Sequence, residues 1–291
     1  MDNVLHIKAL YLQKFVIMKI YPDAKINLGL NIVRRREDGY HDIETVFYPV
    51  PIFDTIEIVV NEGQDADCEL TVTGIDICGS ADDNLVVKAY RMLAADHRLP
   101  KVKIFLDKAI PTQAGMGGGS SDCAYTLRLL NEMFSLGLSN AALRDYAARL
   151  GSDCAFFIED GPQYAEGRGD ILSPVDGTLS GYYLAVVKPG VAVSTGEAYA
   201  HVSVGLPEHN CLDVVTCHNV NDWRELLRND FEDSIFPLLP EVRDVKEKLY
   251  EIGANFAMMS GSGSAVFGIF ETRPKNLDGI FPGYYSKVVK L

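Results

Sequence analysis

The chain has 291 residues, 47% of them apolar, enough to bury a sizeable core and, at ordinary domain sizes, roughly two domains. Its formal net charge of −13 excludes non-specific nucleic-acid binding, which needs a positive surface to displace counterions from phosphates. The first residues, Met1 to Ile20, carry Asp2, His6, Lys8, Lys14 and Lys19, so no clean apolar stretch for a span or a signal survives. A cytoplasmic protein without membrane attachment is expected.

The elements follow in chain order. Met18 begins a first strand, leaving residues 1–17 as an optional extension or as sequence ahead of a true translation start at Met18. In Pro22 to Ile32, Lys25, Asn27 and Gly29 alternate with Ile26, Leu28 and Leu30, so a strand puts the polar set on one face, which either lines a cleft or meets solvent. Gly39-Tyr40-His41 follows the charged run Arg34 to Asp38. There an aromatic ring and an imidazole side by side suit a heterocyclic base. Lys25 with Arg34, Arg35 and Arg36 gives an acidic chain local donors for an anionic small molecule.

Strands are expected at Thr55 to Val60, Leu70 to Val72 and Val102 to Leu106, with a helix at Leu85 to Ala95, an α+β pattern. The most informative segment comes next: Pro111-Thr112-Gln113-Ala114-Gly115-Met116-Gly117-Gly118-Gly119-Ser120-Ser121. Directly behind it, Cys123, Leu127, Leu130 and Phe134 recur at helical spacing, with Ser120, Ser121 or Asp122 as the cap. Glycines let the backbone approach a ligand closely, and a helix start supplies unpaired amides and a positive dipole end, so together they make a phosphate cradle. No GK[ST] follows and no G-x-G-x-x-G is present, so neither a Walker loop nor a dinucleotide fingerprint is read here. A second helix has Ser139 as cap, Leu143, Tyr146, Ala147 and Leu150 on one face, and Gly151 as terminator; Asp153 follows at once.

In the second half, Tyr183 to Val187 reads as a strand and Trp223 to Arg228 as a helix. Val242, Val245, Leu249 and Ile252 mark a further helix that Gly253 ends. The turn Ser260-Gly261-Ser262-Gly263-Ser264 precedes the apolar run Ala265 to Phe270; its glycines either bring backbone to another phosphate or simply make a tight turn. The six cysteines, Cys68, Cys78, Cys123, Cys154, Cys211 and Cys217, show neither a CxxC pair nor Cys/His ligand spacing, so reduced, packed thiols are expected.

These segments in this order resemble the GHMP kinase superfamily, whose phosphate loop runs from a proline through glycines to a serine pair, as Pro111 to Ser121 does. PDAKINLGLNI and RREDGYHDIETVF, with GSDCAFFI and MSGSGSAVFGIF, are similar to one branch, which phosphorylates the C2 hydroxyl of a cytidine-diphosphate derivative of methylerythritol in isoprenoid precursor synthesis. The resemblance runs from about Met18 to the C-terminus, departing from glycine-richer loops at Thr112, Gln113 and Ala114. It implies a two-domain α+β fold with a deep cleft between an ATP domain, taken as residues 18–160, and a substrate domain, 161–291, each built from discontinuous segments, so this split is approximate. It implies Asp153 as base and Lys25 as its partner, Pro111 to Ser121 around the ATP phosphates, and Asn84 and Lys108 near the adenosine. On the acceptor side it implies Tyr40 and Tyr199 sandwiching the cytosine, His41 hydrogen-bonding it, Thr195 beside it, and Asn27 near the reacting end. ATP and Mg2+ are the expected cofactors, no residue stands out as a Mg2+ ligand, and a monomer or a homodimer fits equally. Three other readings stay open: a GHMP kinase for mevalonate, homoserine or a sugar, a nucleotide sensor without chemistry, and a structural protein with a glycine-rich turn.

Overall fold

The computed structural model describes residues 17–291 except 62, 64, 65, 78 and 178. The extension expected at residues 1–17 and Cys78 therefore lie almost wholly outside the described residues. In chain order the elements are β1 (Ile17–Ile20), β2 (Asp23–Arg35), β3 (His41–Phe53), β4 (Thr55–Val60), β5 (Cys68–Gly74), α1 (Leu85–Asp96), β6 (Val102–Lys108), α2 (Gly118–Met133), α3 (Asn140–Leu150), β7 (Gln163–Glu166), β8 (Ile171–Pro174) and β9 (Tyr183–Lys188). After these come α4 (Thr195–Ala200), α5 (Cys211–Cys217), α6 (Trp223–Leu226), α7 (Phe231–Leu238), α8 (Pro240–Glu251), β10 (Phe256–Met259), β11 (Val266–Phe270), α9 (Leu277–Ile280) and β12 (Tyr285–Lys290).

Two compact units emerge, both discontinuous. The first comprises the residues up to Pro22, Phe53–Ala109 and Gly119–Ile158; the second comprises Asp23–Ile52, Ile110–Gly118 and Glu159–Leu291. The division expected at 160/161 lies beside the one at 158/159. Residues 23–52 join the later unit because β2 and β3 share a sheet with β7 and β8.

The first unit holds a sheet in the order β1-β4-β6-β5. β4 pairs antiparallel with β6, Ile56 opposite Leu106, and β5 runs parallel to β6, Leu70 beside Ile104. Val86, Val87, Ala89, Tyr90 and Leu93 of α1 recur at helical spacing and are buried, as are Leu143 and Ala147 of α3. Ser139 caps α3 by accepting the Ala142 amide. Gly151 closes that helix, its N–H donating to the Ala147 carbonyl. It is the terminator expected there, in extended backbone with a φ of −178°. The helix after the glycine segment begins at Gly118, a turn ahead of the serine and aspartate caps expected for it.

The second unit carries two sheets, β2-β3-β7-β8 and β10-β11-β9-β12. Ala24, Ile26 and Leu28 of β2 enter one core cluster with Phe256, Phe267 and Trp223; Leu30 and Ile32 enter another with Val242, Val245 and Leu249 of α8. Burying each of those α8 side chains stabilises by about 1.5–3 kcal/mol, so Val245→Asp breaks this packing. Gly253 does end α8 with a φ of 96°, and the Ala254 amide returns to the Leu249 carbonyl. The helix expected from Trp223 to Arg228 stops at Leu226, because Leu30 captures the chain beyond it. The Leu30 N–H donates to the Arg228 carbonyl at 2.8 Å, and the Asp230 N–H donates to the Leu30 carbonyl at 2.9 Å. Cys68, Cys123, Cys154 and Cys211 are buried free thiols and Cys217 is an exposed one, in line with mostly packed, reduced cysteines.

Candidate active site

Lys25 and Asn27 lie on β2 at 3% and 1% exposure, so the strand's polar face is interior, not solvated. The Lys25 ammonium donates to Asn27 Oδ1 at 2.6 Å and sits 4.9 Å from the centre of the Phe47 ring. Asn27 Nδ2 donates to Thr45 Oγ1 at 3.0 Å, and Thr45 donates to the Gly29 carbonyl at 2.5 Å. Phe47 and Thr45 belong to β3, whose Glu-Thr-Val-Phe run lies in a segment that carries the resemblance but was given no role of its own in sequence.

The glycine segment is held from two sides within the second unit. From β2, the Lys25 N–H donates to the Met116 carbonyl at 3.0 Å. From the serine-glycine turn, the Ser264 and Ala265 amides donate to the Gln113 and Ala114 carbonyls at 3.3 and 3.2 Å, and Ser260 Oγ donates to the Gly115 carbonyl at 2.8 Å. Thus Gln113 and Ala114, where the segment departs from glycine-richer loops, supply the seam. Gly115 is needed there: its φ is 70°, and a Cβ would overlap the Ser260 carbonyl oxygen. Of the two readings of Ser260 to Ser264, the structure displays a tight turn that shapes the neighbouring loop. Asn229 carries that turn in its side-chain amide, donating to the Met259 and Gly261 carbonyls at 2.7 and 2.8 Å.

Pro111, Ala114 and Met116 are buried, while Thr112 and Gln113 are exposed. Gly117, with a φ of 70°, leads into α2, whose first turn contains Gly119, Ser120 and Ser121. The Ser121 hydroxyl is buried and has no hydrogen-bond partner among the described residues. A buried orphan oxygen at a helix start, beside amides that have no partner within the helix, fits an oxygen-rich ligand such as a phosphate and its hydrated cation.

In the first unit, Asn84 caps α1, its Oδ1 accepting the Val86 N–H at 2.9 Å. Lys108 is buried, and its ammonium pairs with Asp54 and, at 2.7 Å, with Asp122, one turn into α2. Burial opposes the Lys108 charge, but Asp122 and Asp54 outweigh it and raise the ammonium above its ordinary value. Burial pushes the Asp122 carboxyl up to about 7; Lys108 resists this and Asp54 adds to it. Two carboxylates facing one ammonium away from water bind a proton more readily than one does. Asp54 was not among the residues singled out in sequence, and Asp122 entered only as a candidate cap of the helix, not as a partner of Lys108. Asp153 lies in the first turn of the 3-10 helix Ser152–Ile158 in this same unit, two residues after Gly151.

The base-recognition candidates meet in the second unit. His41 stacks on Tyr199 of α4 with ring centres 4.8 Å apart, and Phe231 meets Tyr199 edge-on at 4.9 Å. One face of Tyr199 is therefore covered by His41. Burial, then Arg35, lowers the His41 imidazole below its ordinary value, favouring the neutral ring that both donates and accepts. Tyr40 is 55% exposed, and the Arg168 guanidinium lies 5.1 Å from its ring centre. Arg168 is itself held by Asp170 at 2.9 Å. Thr195, the first residue of α4, has its hydroxyl 3.4 Å from that of Ser262.

Among the described residues no three His, Cys, Asp or Glu side chains form a metal-holding group, and no helix is long and apolar enough to cross a membrane. Residues 84–161 match the family model for the GHMP kinases N terminal domain, and residues 212–277 match that for the GHMP kinases C terminal domain. The chain is 50% identical over 254 residues to the 4-diphosphocytidyl-2-C-methyl-D-erythritol kinase of Bacteroides thetaiotaomicron, covering 87% of this chain and 92% of that one. The protein of the same name from Bacteroides fragilis is 48% identical over 258 residues, covering 89% and 94% of the two chains. A crystal structure of a 4-(cytidine 5'-diphospho)-2C-methyl-D-erythritol kinase matches with a TM-score of 0.74 and 28% identity, over 93% of this chain and 98% of that one. A homoserine kinase from Cytophaga hutchinsonii, 14% identical with a TM-score of 0.69, shares the fold. On this identity, sustained over nearly the full length of its relatives, the chain belongs to the 4-diphosphocytidyl-2-C-methyl-D-erythritol kinase family within the GHMP kinases.

Proposed function

We propose that this chain transfers the γ-phosphoryl group of ATP to the C2 hydroxyl of 4-diphosphocytidyl-2-C-methyl-D-erythritol, giving the 2-phosphate and ADP, a step of non-mevalonate isoprenoid precursor synthesis. Among GHMP kinases, the observation favouring this acceptor is the aromatic and imidazole group of Tyr40, His41 and Tyr199, since mevalonate, homoserine and sugars carry no base to stack on.

Phosphoryl transfer needs positioning and charge stabilisation more than covalent chemistry. MgATP supplies the phosphoryl group and the cation that offsets charge on its oxygens. The residues present fit it: the amides from Gly117 to Ser121 and the orphan Ser121 hydroxyl would hold the phosphates, and Mg2+, which keeps several waters, needs no all-protein cage. Lys25 favours negative charge developing on the attacking oxygen. Asp153 takes or orients the proton of the acceptor hydroxyl. Asn27 keeps Lys25 in place, and His41 reads the pyrimidine edge.

The test is ADP release with MgATP and the cytidyl compound, run beside mevalonate, homoserine and galactose. Turnover confined to the cytidyl compound supports the proposal; turnover only with another alcohol overturns the Tyr40, His41 and Tyr199 assignment, and silence with all of them favours a sensor. Asp153→Asn is expected to lower turnover about 10²-fold or more while ATP still binds; near-normal turnover removes Asp153 from the role.

A further inference from the structure

We propose that Thr45 is a positioning residue that sets the direction of the Asn27 amide and, through it, the seat of the Lys25 ammonium. This rests on the reading that Lys25 serves phosphoryl transfer. Thr45 lies on β3, fully buried, and is linked to Lys25 through Asn27.

The case is one of hydrogen-bond polarity. A peptide carbonyl accepts only, and the Gly29 carbonyl takes the single proton of the Thr45 hydroxyl at 2.5 Å. With its proton committed, Thr45 Oγ1 faces Asn27 as an acceptor. Only the NH2 end of the amide satisfies it, which it does at 3.0 Å. The oxygen end of Asn27 is thereby turned toward Lys25 and accepts from the ammonium at 2.6 Å. The reversed amide would aim an NH2 group at the ammonium and an oxygen at another oxygen, two unfavourable contacts in a buried setting. Gly29 anchors this order: its φ is 75°, and a Cβ there would run into Cys211 Sγ, so the backbone carrying the carbonyl is set by packing. Direction therefore passes from a backbone carbonyl through a hydroxyl and an amide to a charge.

Thr45→Val keeps the shape and removes the hydroxyl. Both ends of Asn27 then become equivalent to the strand, and kcat is expected to fall about tenfold or more, the size of a hydrogen bond to a charged group, with KM for ATP within about twofold of the parent. Thr45→Ser, which retains the proton and the lone pairs, is expected to keep kcat within about threefold of the parent. Thr45→Cys, a weaker donor and acceptor, should fall between them and carries the test if the valine variant does not fold. In an Asn27→Asp background both oxygens accept, orientation no longer matters, and Thr45→Val is expected to cost less than in the parent. A parental kcat in Thr45→Val or Thr45→Cys overturns the proposal, as does a serine variant as poor as the valine one, which would point to packing. Lys25→Met is assayed alongside. If it is inactive while Thr45→Val is normal, only the Thr45 role fails; if it turns over normally, the reading of Lys25 fails and the Thr45 role with it.

Discussion

Lys25 and Lys108 are equally hidden, at 3% and 4% exposure, and belong to separate hydrogen-bond networks. Lys108 faces two carboxylates, Asp54 and Asp122, which tie the end of β6 to the first turn of α2. Lys25 is met by an amide oxygen and an aromatic face, from Asn27 and Phe47. Carboxylates that over-match an ammonium hold it for structure and raise the cost of moving it. An amide dipole and a ring quadrupole help to orient a cation for a developing negative charge. The nucleotide-side role expected of Lys108 would thus act through the helix it anchors.

The largest expected effect is on stability. Lys108→Met leaves two buried carboxylates facing each other and is expected to cost about 3–5 kcal/mol in urea unfolding; a loss under about 1 kcal/mol would break the contrast. Lys25→Met should do the reverse, lowering kcat about 10²-fold or more with a smaller change in unfolding midpoint. If both variants lose mainly stability, the two lysines do the same work.

A pH titration sharpens the difference further. With Asp122 raised to about 7 by burial, against an unfolded value of about 3.9, the folded chain binds more protons than the unfolded chain between those limits. That contribution is complete below about pH 4 and is lost as pH rises through about 7. Asp122→Asn leaves a one-to-one Lys108–Asp54 pair, so the fall in stability across that window should flatten; an unchanged slope would mean that the triad holds no extra proton.

The smallest effect concerns an exposed cation. Arg168→Ala removes the guanidinium behind Tyr40 and is expected to raise KM for the cytidyl acceptor about two- to fivefold, the size of an exposed cation–π contact, with KM for ATP unchanged. Equal changes in both constants would deny Arg168 a specific link to the acceptor.

Much of this was legible before any coordinates. Helical spacing located α1, α2, α3 and α8, and the glycine-serine segment announced itself because few other uses demand so many glycines at a helix start. What escaped was long-range. Trp223 to Arg228 has helical spacing, yet Leu30, about two hundred positions earlier, draws the chain into a bridge. The stacking of His41 on Tyr199 and the Arg168 guanidinium over Tyr40 join residues far apart in the chain.

Local chemistry is written along the chain: propensity, periodicity, a glycine's tolerance of positive φ and the presence of Lys25, His41 and Asp153 all belong to near neighbours. Which partner each polar group finds is not, because pairing depends on strands brought together from distant positions. Thr45 becomes an acceptor for Asn27 only because Gly29 claims its proton, and Lys108 becomes a tether only because β4 and α2 bring carboxylates to it. Burial then enforces both arrangements, since in a low-dielectric interior a misdirected hydrogen bond or an unmatched charge costs more than the contact it replaces.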